Sequence, residues 1–408
     1  MSTLAPAIDA RLARAVAVTG RLRDRLDGAA RPLRGLGRGI DFLARGVHHV
    51  WRNRRYLSAY KLLNMAAVNL CFKLKTERVI GRPYKMKIES TNICNTRCQL
   101  CPTGLGYHGR HKGRMGLSQF QALVEQFRHH LVALDLSMWG DPLIVPDIYH
   151  MVRYAHDRRI WTYLSSNLHA FRPDKQHAEK LIDSGLDQLT CSLHGASQRT
   201  FELYQPGKDF DTAVAKVRHL IAVRDRLGSR TPDVQLNFVV TRHNEHERAA
   251  FETLSADLGC HAVFSLAALN TRMVNRNREM VELNLAEDVK RQRIREHIDH
   301  WLPRDERYVL DAYLEMRDHD VDPERYNGSK VYDCSWPWRQ AVINWDGTVA
   351  TCCGSFSSAE DMGNIFEQSF AQVWNGPRYR AARRSFSKRI PAGEADDNPC
   401  ARCPGFLL

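Results

Sequence analysis

No stretch of this chain is apolar for the roughly 20 residues that a bilayer crossing takes. Its best candidate, Leu62 to Leu74, is short and carries Asn64, Asn69 and Lys73. The N-terminus lacks a compact basic region followed by a clean apolar core and a cleavage site, so a secretory signal is not expected. There is no internal repeat, which excludes a repeat array, and no long low-complexity segment. A disulfide framework is also missing: at 408 residues the chain is not a small stapled domain, and eight of its eleven cysteines fall in two clusters, Cys94 to Cys101 and Cys334 to Cys403. That clustering fits metal ligation in a reducing cytoplasm. The other three, Cys71, Cys191 and Cys260, lie among apolar residues and are expected as buried small hydrophobes.

Acidic residues are scarce at the start of the chain. Residues 1–80 hold 16 Lys or Arg against 5 Asp or Glu, a balance of +11 out of a net charge of +13, so the rest is nearly neutral. Leu33, Leu36, Ile40, Phe42, Leu43, Val47 and Val50 are interleaved with Arg34, Arg38, Arg45 and Arg52. The pattern resembles an amphipathic helix on a membrane surface. A helical extension against the rest of the fold, or a solvated basic arm, reads equally well. The expected localisation is cytoplasmic, with peripheral docking through residues 1–80 as an option.

Cys94, Cys98 and Cys101 are the most informative residues, in the run Ile88-Glu-Ser-Thr-Asn-Ile-Cys-Asn-Thr-Arg-Cys-Gln-Leu-Cys101. An iron–sulfur cube normally takes four thiolates, so three leave one iron open. A structural zinc knuckle is the bland alternative. Context favours the cube: the cysteines follow an apparent strand, Lys85 to Glu89, and precede a Gly-rich loop and a helical stretch, Leu117 to Leu131. The spacing resembles the signature of the radical S-adenosylmethionine (radical SAM) enzymes. That resemblance implies a [4Fe–4S] cluster whose open iron binds SAM, reductive cleavage of SAM to a 5′-deoxyadenosyl radical, and hydrogen abstraction from a substrate.

Further strands are expected at Ala133 to Met138, Ile160 to Ser165, Gln188 to Ser192, Asp233 to Val240 and His261 to Leu266. Helical patterns lie between them at Pro146 to Arg158, Pro173 to Ser184, Phe210 to Leu227 and Glu245 to Leu258. Six β/α units match the partial (β/α)6 TIM-type barrel of the radical SAM family; periodicity alone would not separate this from a doubly wound sheet. The expected class is thus α/β: a basic helical extension over 1–80, the barrel over 81–270, a linker over 271–332 that includes a helix at Met280 to His300, and a small β-hairpin/helix domain over 333–408.

That last part holds Cys334, Cys352, Cys353, Cys400 and Cys403. Asp346-Gly347 between apolar runs signals a hairpin that brings Cys334 and Cys352 to its open end. The terminal Cys-x-x-Cys adds two more soft ligands for a closed iron–sulfur or zinc site. The pattern resembles the auxiliary-cluster extension called SPASM, or its shorter relative Twitch. This implies one auxiliary [4Fe–4S] cluster on Cys334, Cys352, Cys400 and Cys403, with Cys353 as the alternative to Cys352.

By the same resemblance Gly140, Asp141 and Pro142 stand where the family's Gly-Glu-Pro motif holds the SAM amino group through backbone atoms. Asn167 would contact the ribose and Ser192 lies near the SAM carboxylate. Two departures stand out: Leu100 replaces the usual aromatic before the last cysteine, and Gln205 stands where relatives often have Arg. The general base stays unassigned, with Glu89, His194 and Arg242 near strand ends.

The resemblance extends to enzymes that oxidise cyclitols, to maturases of ribosomal peptides, and to enzymes acting on sugars or lipids. The basic N-terminus favours a sugar, cyclitol or lipid-linked substrate in a biosynthetic pathway, with an external one-electron reductant such as flavodoxin or ferredoxin. A peptide-modifying maturase is the alternative, weakened because no winged-helix peptide-binding domain is recognisable in 1–80. A non-catalytic metal-binding protein with a nucleic-acid arm is the third reading; few aromatics interleave the arginines, so nucleic acid is not the expected partner.

Overall fold

The computed structural model describes residues 54–323, 326, 333–387 and 398–403. The amphipathic pattern around Leu33 to Arg52 lies outside them. None of the described helices is long and apolar enough to cross a membrane, and the Leu62 to Leu74 stretch falls, but for Leu74, in the helix Ala59–Lys73.

Six strands run parallel in chain order: β1 Lys85–Ile88, β2 Ala133–Asp135, β3 Trp161–Ser166, β4 Gln188–Ser192, β5 Asp233–Val239 and β6 His261–Ser265. The sheet stays open, as a partial barrel does. The helices Leu117–Phe127, Ile148–Asp157, His177–Asp183, Phe210–Arg226 and Arg248–Asp257 connect them. Strand alternation decides which face each residue serves. Met86, Ile88, Leu134, Leu164, Leu189 and Leu236 pack with helix residues such as Phe120, Val124, Met151 and Leu220 in one apolar core. The opposite face is polar: Lys87, Asp135, Tyr163 and Gln188 form one cross-strand row in register across β1 to β4.

The C-terminal part does more than stand beside the barrel. Strand β7, Gln340–Ile343, pairs in parallel with β1, Lys87 opposite Val342, and Glu89 N–H continues the ladder to the Ile343 carbonyl at 2.8 Å. β8, Thr348–Ala350, returns antiparallel through the expected turn at Asp346-Gly347, where Gly347 takes φ +84°, and β9 is Gly363–Asn364. The result is one nine-stranded sheet, β6-β5-β4-β3-β2-β1-β7-β8-β9. The helices Glu287–Trp301 and Asp311–Asp318 of the linker build a second core with Leu100, Tyr204 and Leu269. Cys71, Cys191 and Cys260 are buried as expected.

Candidate active site

The three cysteines follow β1, at the strand ends where barrel folds place their chemistry. Their loop is anchored at its base by side chains of the strand's extension. Asn92 donates to the His111 carbonyl at 2.7 Å and accepts the Gly113 N–H at 2.9 Å, while Thr91 donates to the Gly113 carbonyl at 2.7 Å. Within the loop the Thr96 hydroxyl lies 3.1 Å from Cys94 Sγ and 3.5 Å from Cys98 Sγ. Gly104 closes against it: a Cβ there would stand 2.5 Å from both N and O of Cys98.

Burial pushes all three thiols up, Cys98 to about 12, and each is raised further by another cysteine or by Asp141. Three crowded thiolates without a cation are costly. A cationic cluster that takes them as ligands removes that cost, so the donor set fits an iron–sulfur group. Among the described residues no three His, Cys, Asp or Glu side chains converge as one metal ion would require.

The segment Gly140-Asp141-Pro142 after β2 is seated on this loop. Asp141 N–H donates to the Ile93 carbonyl at 3.0 Å, and a Cβ on Gly140 would meet the Thr91 and Ile93 carbonyls at 2.4 Å. The expectation of a backbone role for Asp141 missed its carboxylate. Buried, it accepts from Leu143 N–H at 2.9 Å, Ser166 Oγ–H at 2.9 Å and Asn167 N–H at 2.8 Å. It therefore binds the loops after β2 and β3 into one piece. Asn167 in turn donates to Asn95 Oδ1 at 2.8 Å and approaches Cys94 Sγ at 3.6 Å.

Ser192 ends β4 and offers its carbonyl to Gln205, 3.0 Å away. Gln205 is fully buried and also reaches His169 at 3.0 Å, so the residue that departs from the family's Arg joins the β3 and β4 loops. Leu100 is buried in the second core beside Tyr204. Among the base candidates, His194 is buried with Nδ1 accepting the Val239 N–H at 3.1 Å, and burial pushes its pKa down to about 3. It is neutral at ordinary pH. Arg242 follows β5 with its backbone N–H on the Trp301 carbonyl. Glu89 is fully buried, and desolvation raises it to about 7.

The polar sheet face carries residues that sequence reasoning did not single out. Lys87 pairs with Asp135 and reaches Tyr163 Oη at 3.3 Å, and the pair keeps the lysine charged despite its burial. The signal was present: a charged residue alternating with Met86 and Ile88 in β1 had to face away from the helical core.

The second cysteine group gathers at the open end of the hairpin. Cys334, Cys352 and Cys353 pack around Trp336, Val342 and Ala350, with Met138 from the β2 loop. Cys352 is raised by burial and by Cys353, Cys403 and Cys400. Apart from burial, Cys353 is affected most by Lys87 and Asp135. Cys353 also feels Cys403, and Cys334 feels Cys403 and Cys353, so both neighbours belong to the same group of thiols. The buried indole N–H of Trp336 has no hydrogen-bond partner among the described residues, and sulfide or thiolate acceptors of a cluster would satisfy it.

An open parallel barrel with three thiols above β1 and a second thiol group spliced onto its first strand defines a cluster-binding barrel enzyme. Residues 88–250 match the radical SAM superfamily, and residues 334–404 match the iron–sulfur cluster-binding domain SPASM. The chain belongs to the radical SAM superfamily, with a C-terminal SPASM domain. It is therefore an enzyme that uses SAM and a [4Fe–4S] cluster, with auxiliary iron–sulfur ligation. Among curated relatives, it is 25% identical to the PqqA peptide cyclase of Ruegeria pomeroyi over 281 residues, 68% of this chain and 69% of the relative. It is 25% identical to the mycofactocin maturase MftC of Mycobacterium tuberculosis over 183 residues, 45% of this chain and 44% of that protein. Among solved structures it resembles Streptococcus suis SuiB bound to the precursor peptide SuiA, with TM-score 0.54 and 14% identity over 78% of this chain and 70% of SuiB. At that identity the likeness speaks for the fold.

Proposed function

We propose that this chain modifies a peptide by radical chemistry. The observation that carries the reading is the match to the PqqA peptide cyclase, which runs through more than two thirds of both proteins. The sugar, cyclitol or lipid-linked substrate rested on the basic pattern in residues 1–80, most of which lies outside the described residues, and the relatives' names support the peptide alternative instead.

Bound SAM and its cluster supply the hydrogen-abstracting radical. Cys94, Cys98 and Cys101 hold that cluster, and Cys334, Cys352, Cys400 and Cys403 hold the auxiliary one. The Gly140–Pro142 backbone, fixed through Asp141 to Ser166 and Asn167, positions SAM. The row of Lys87, Asp135 and Tyr163 offers the substrate polar contacts below the cysteine loop. An ion pair that neutralises itself suits an uncharged polar group such as a peptide amide.

The test is substrate-dependent formation of 5′-deoxyadenosine by the reconstituted enzyme with SAM and a reductant, screened against synthetic peptides and against a panel of sugars and aminocyclitols. Stimulation by peptides, with a product lacking two hydrogens or newly cross-linked, is expected. Stimulation by sugars or cyclitols alone would contradict the proposal.

A further inference from the structure

Glu89 occupies an unusual junction. It is fully buried, five residues before Cys94. One carboxylate oxygen accepts the N–H of Trp139 at 3.3 Å and the other that of Trp345 at 3.5 Å. Trp139 immediately precedes Gly140 of the loop seated on the cysteines, and Trp345 opens the turn between β7 and β8. One carboxylate therefore spans from the SAM-side loop to the C-terminal hairpin. Both bonds are long for N–H···O contacts, and ionisation strengthens such acceptance.

We propose that Glu89 is a positioning residue whose ionised carboxylate draws the Trp139–Gly140 backbone and the Trp345 turn together, so that its protonation loosens the loop and weakens SAM binding. The inference rests on the radical SAM assignment of Gly140, Asp141 and Pro142. Gly140 lies close to the cysteine loop, since a Cβ added there would stand 2.4 Å from the Thr91 and Ile93 carbonyls.

The charged groups facing Glu89 are Arg110, from the arm after the cysteines, and Asp346, from the hairpin turn; the β2 loop presents only Trp139. Arg110 favours the ionised form but is committed to Asp361, while Asp346 opposes it. With desolvation the largest influence, the carboxyl titrates at about 7, where a modest pH change alters its charge. A carboxylate that merely filled space would give SAM affinity no such dependence.

The test is equilibrium dialysis of SAM against the reconstituted holoenzyme from about pH 6 to about pH 8.5, for wild type, Glu89→Gln and Asp346→Asn. Taking the ratio of wild-type to variant affinity removes the titration of SAM itself. For Glu89→Gln this ratio is expected to rise from about one at the acidic end to about ten at the basic end, the size of one charge-assisted hydrogen bond. Asp346→Asn is expected to move the midpoint to lower pH. A ratio flat across the range, at one or at any other value, would overturn the proposal. Should Glu89→Gln not fold, an unmoved midpoint in Asp346→Asn would overturn it alone. Wild type that binds no SAM at any pH would overturn it together with the assignment on which it rests.

Discussion

Asp141 shows how one side chain decides local geometry. Its carboxylate is the common acceptor for Leu143, Ser166 and Asn167, and none of these donors has water to fall back on in so buried a place. Asp141→Ala is expected to cost about 2–3 kcal/mol, because the cost of an unmade bond is that of the stranded donors; a denaturant midpoint will read it. His194 gives a second prediction at this scale. Its folded pKa is depressed to about 3, so below its unfolded value of roughly 6.5 the unfolded chain binds the extra proton. Stability is therefore complete above about pH 6.5 and falls by up to about 1.4 kcal/mol per pH unit below it. His194→Gln is expected to flatten that slope, and a variant with the wild-type slope would show that another group carries it.

Among the elements, the cysteine loop depends on two glycines that leave no space for a Cβ, Gly104 within it and Gly140 on the β2 loop seated against it. Gly104 abuts the Cys98 backbone, which cannot yield as a flexible side chain would. Gly104→Ala is expected to lose the irons of the first site and keep those of the second, leaving about four of about eight per chain by iron assay. Much of this level was legible in the sequence. β4 occupies the expected Gln188 to Ser192, and the other barrel strands end within a few residues of expectation, because alternation and flanking turns fix strands locally. The hairpin at Asp346-Gly347 was likewise visible. The parallel pairing of β7 with β1 was not, since Gln340–Ile343 reads as one arm of a hairpin and its second partner lies some 250 residues away. Short helices such as Gln198–Tyr204 and Phe370–Trp374 were also missed, being too brief to show a helical period. At the site, cysteine spacing carried the cluster assignment. The carboxylate of Asp141, the bridge of Gln205 and the Lys87–Asp135–Tyr163 row were hidden, because each is defined by contacts between separate strand ends.

In the whole molecule, the two cysteine groups are held in one frame by a seam from the arm after Cys101 to the hairpin domain. Arg110 makes a two-pronged pair with Asp361 and also donates to the Ser357 carbonyl and Thr348 Oγ1, each at 3.2 Å. Alongside it, Trp345 donates through its indole to the His111 carbonyl, and Gly113 lies under the same ring. Arg110→Met strands a buried Asp361 and is expected to cost about 3–5 kcal/mol, much of which Arg110→Met with Asp361→Leu should restore. The pair of denaturation curves separates the cost of an unpaired charge from the worth of the seam itself.

The central claim is that one chain holds two iron–sulfur sites on a continuous sheet and uses the first to cleave SAM. Its most direct test is anaerobic reconstitution with iron and sulfide, followed by iron counting and a 5′-deoxyadenosine assay with SAM and reductant. About eight irons per wild-type chain are expected, with nucleoside formed. About four and no nucleoside are expected for Cys94→Ala/Cys98→Ala/Cys101→Ala; Cys352→Ala is expected to lose the auxiliary irons and Cys353→Ala to keep them. Zinc in place of iron, or no nucleoside from a fully loaded wild type, would contradict the account.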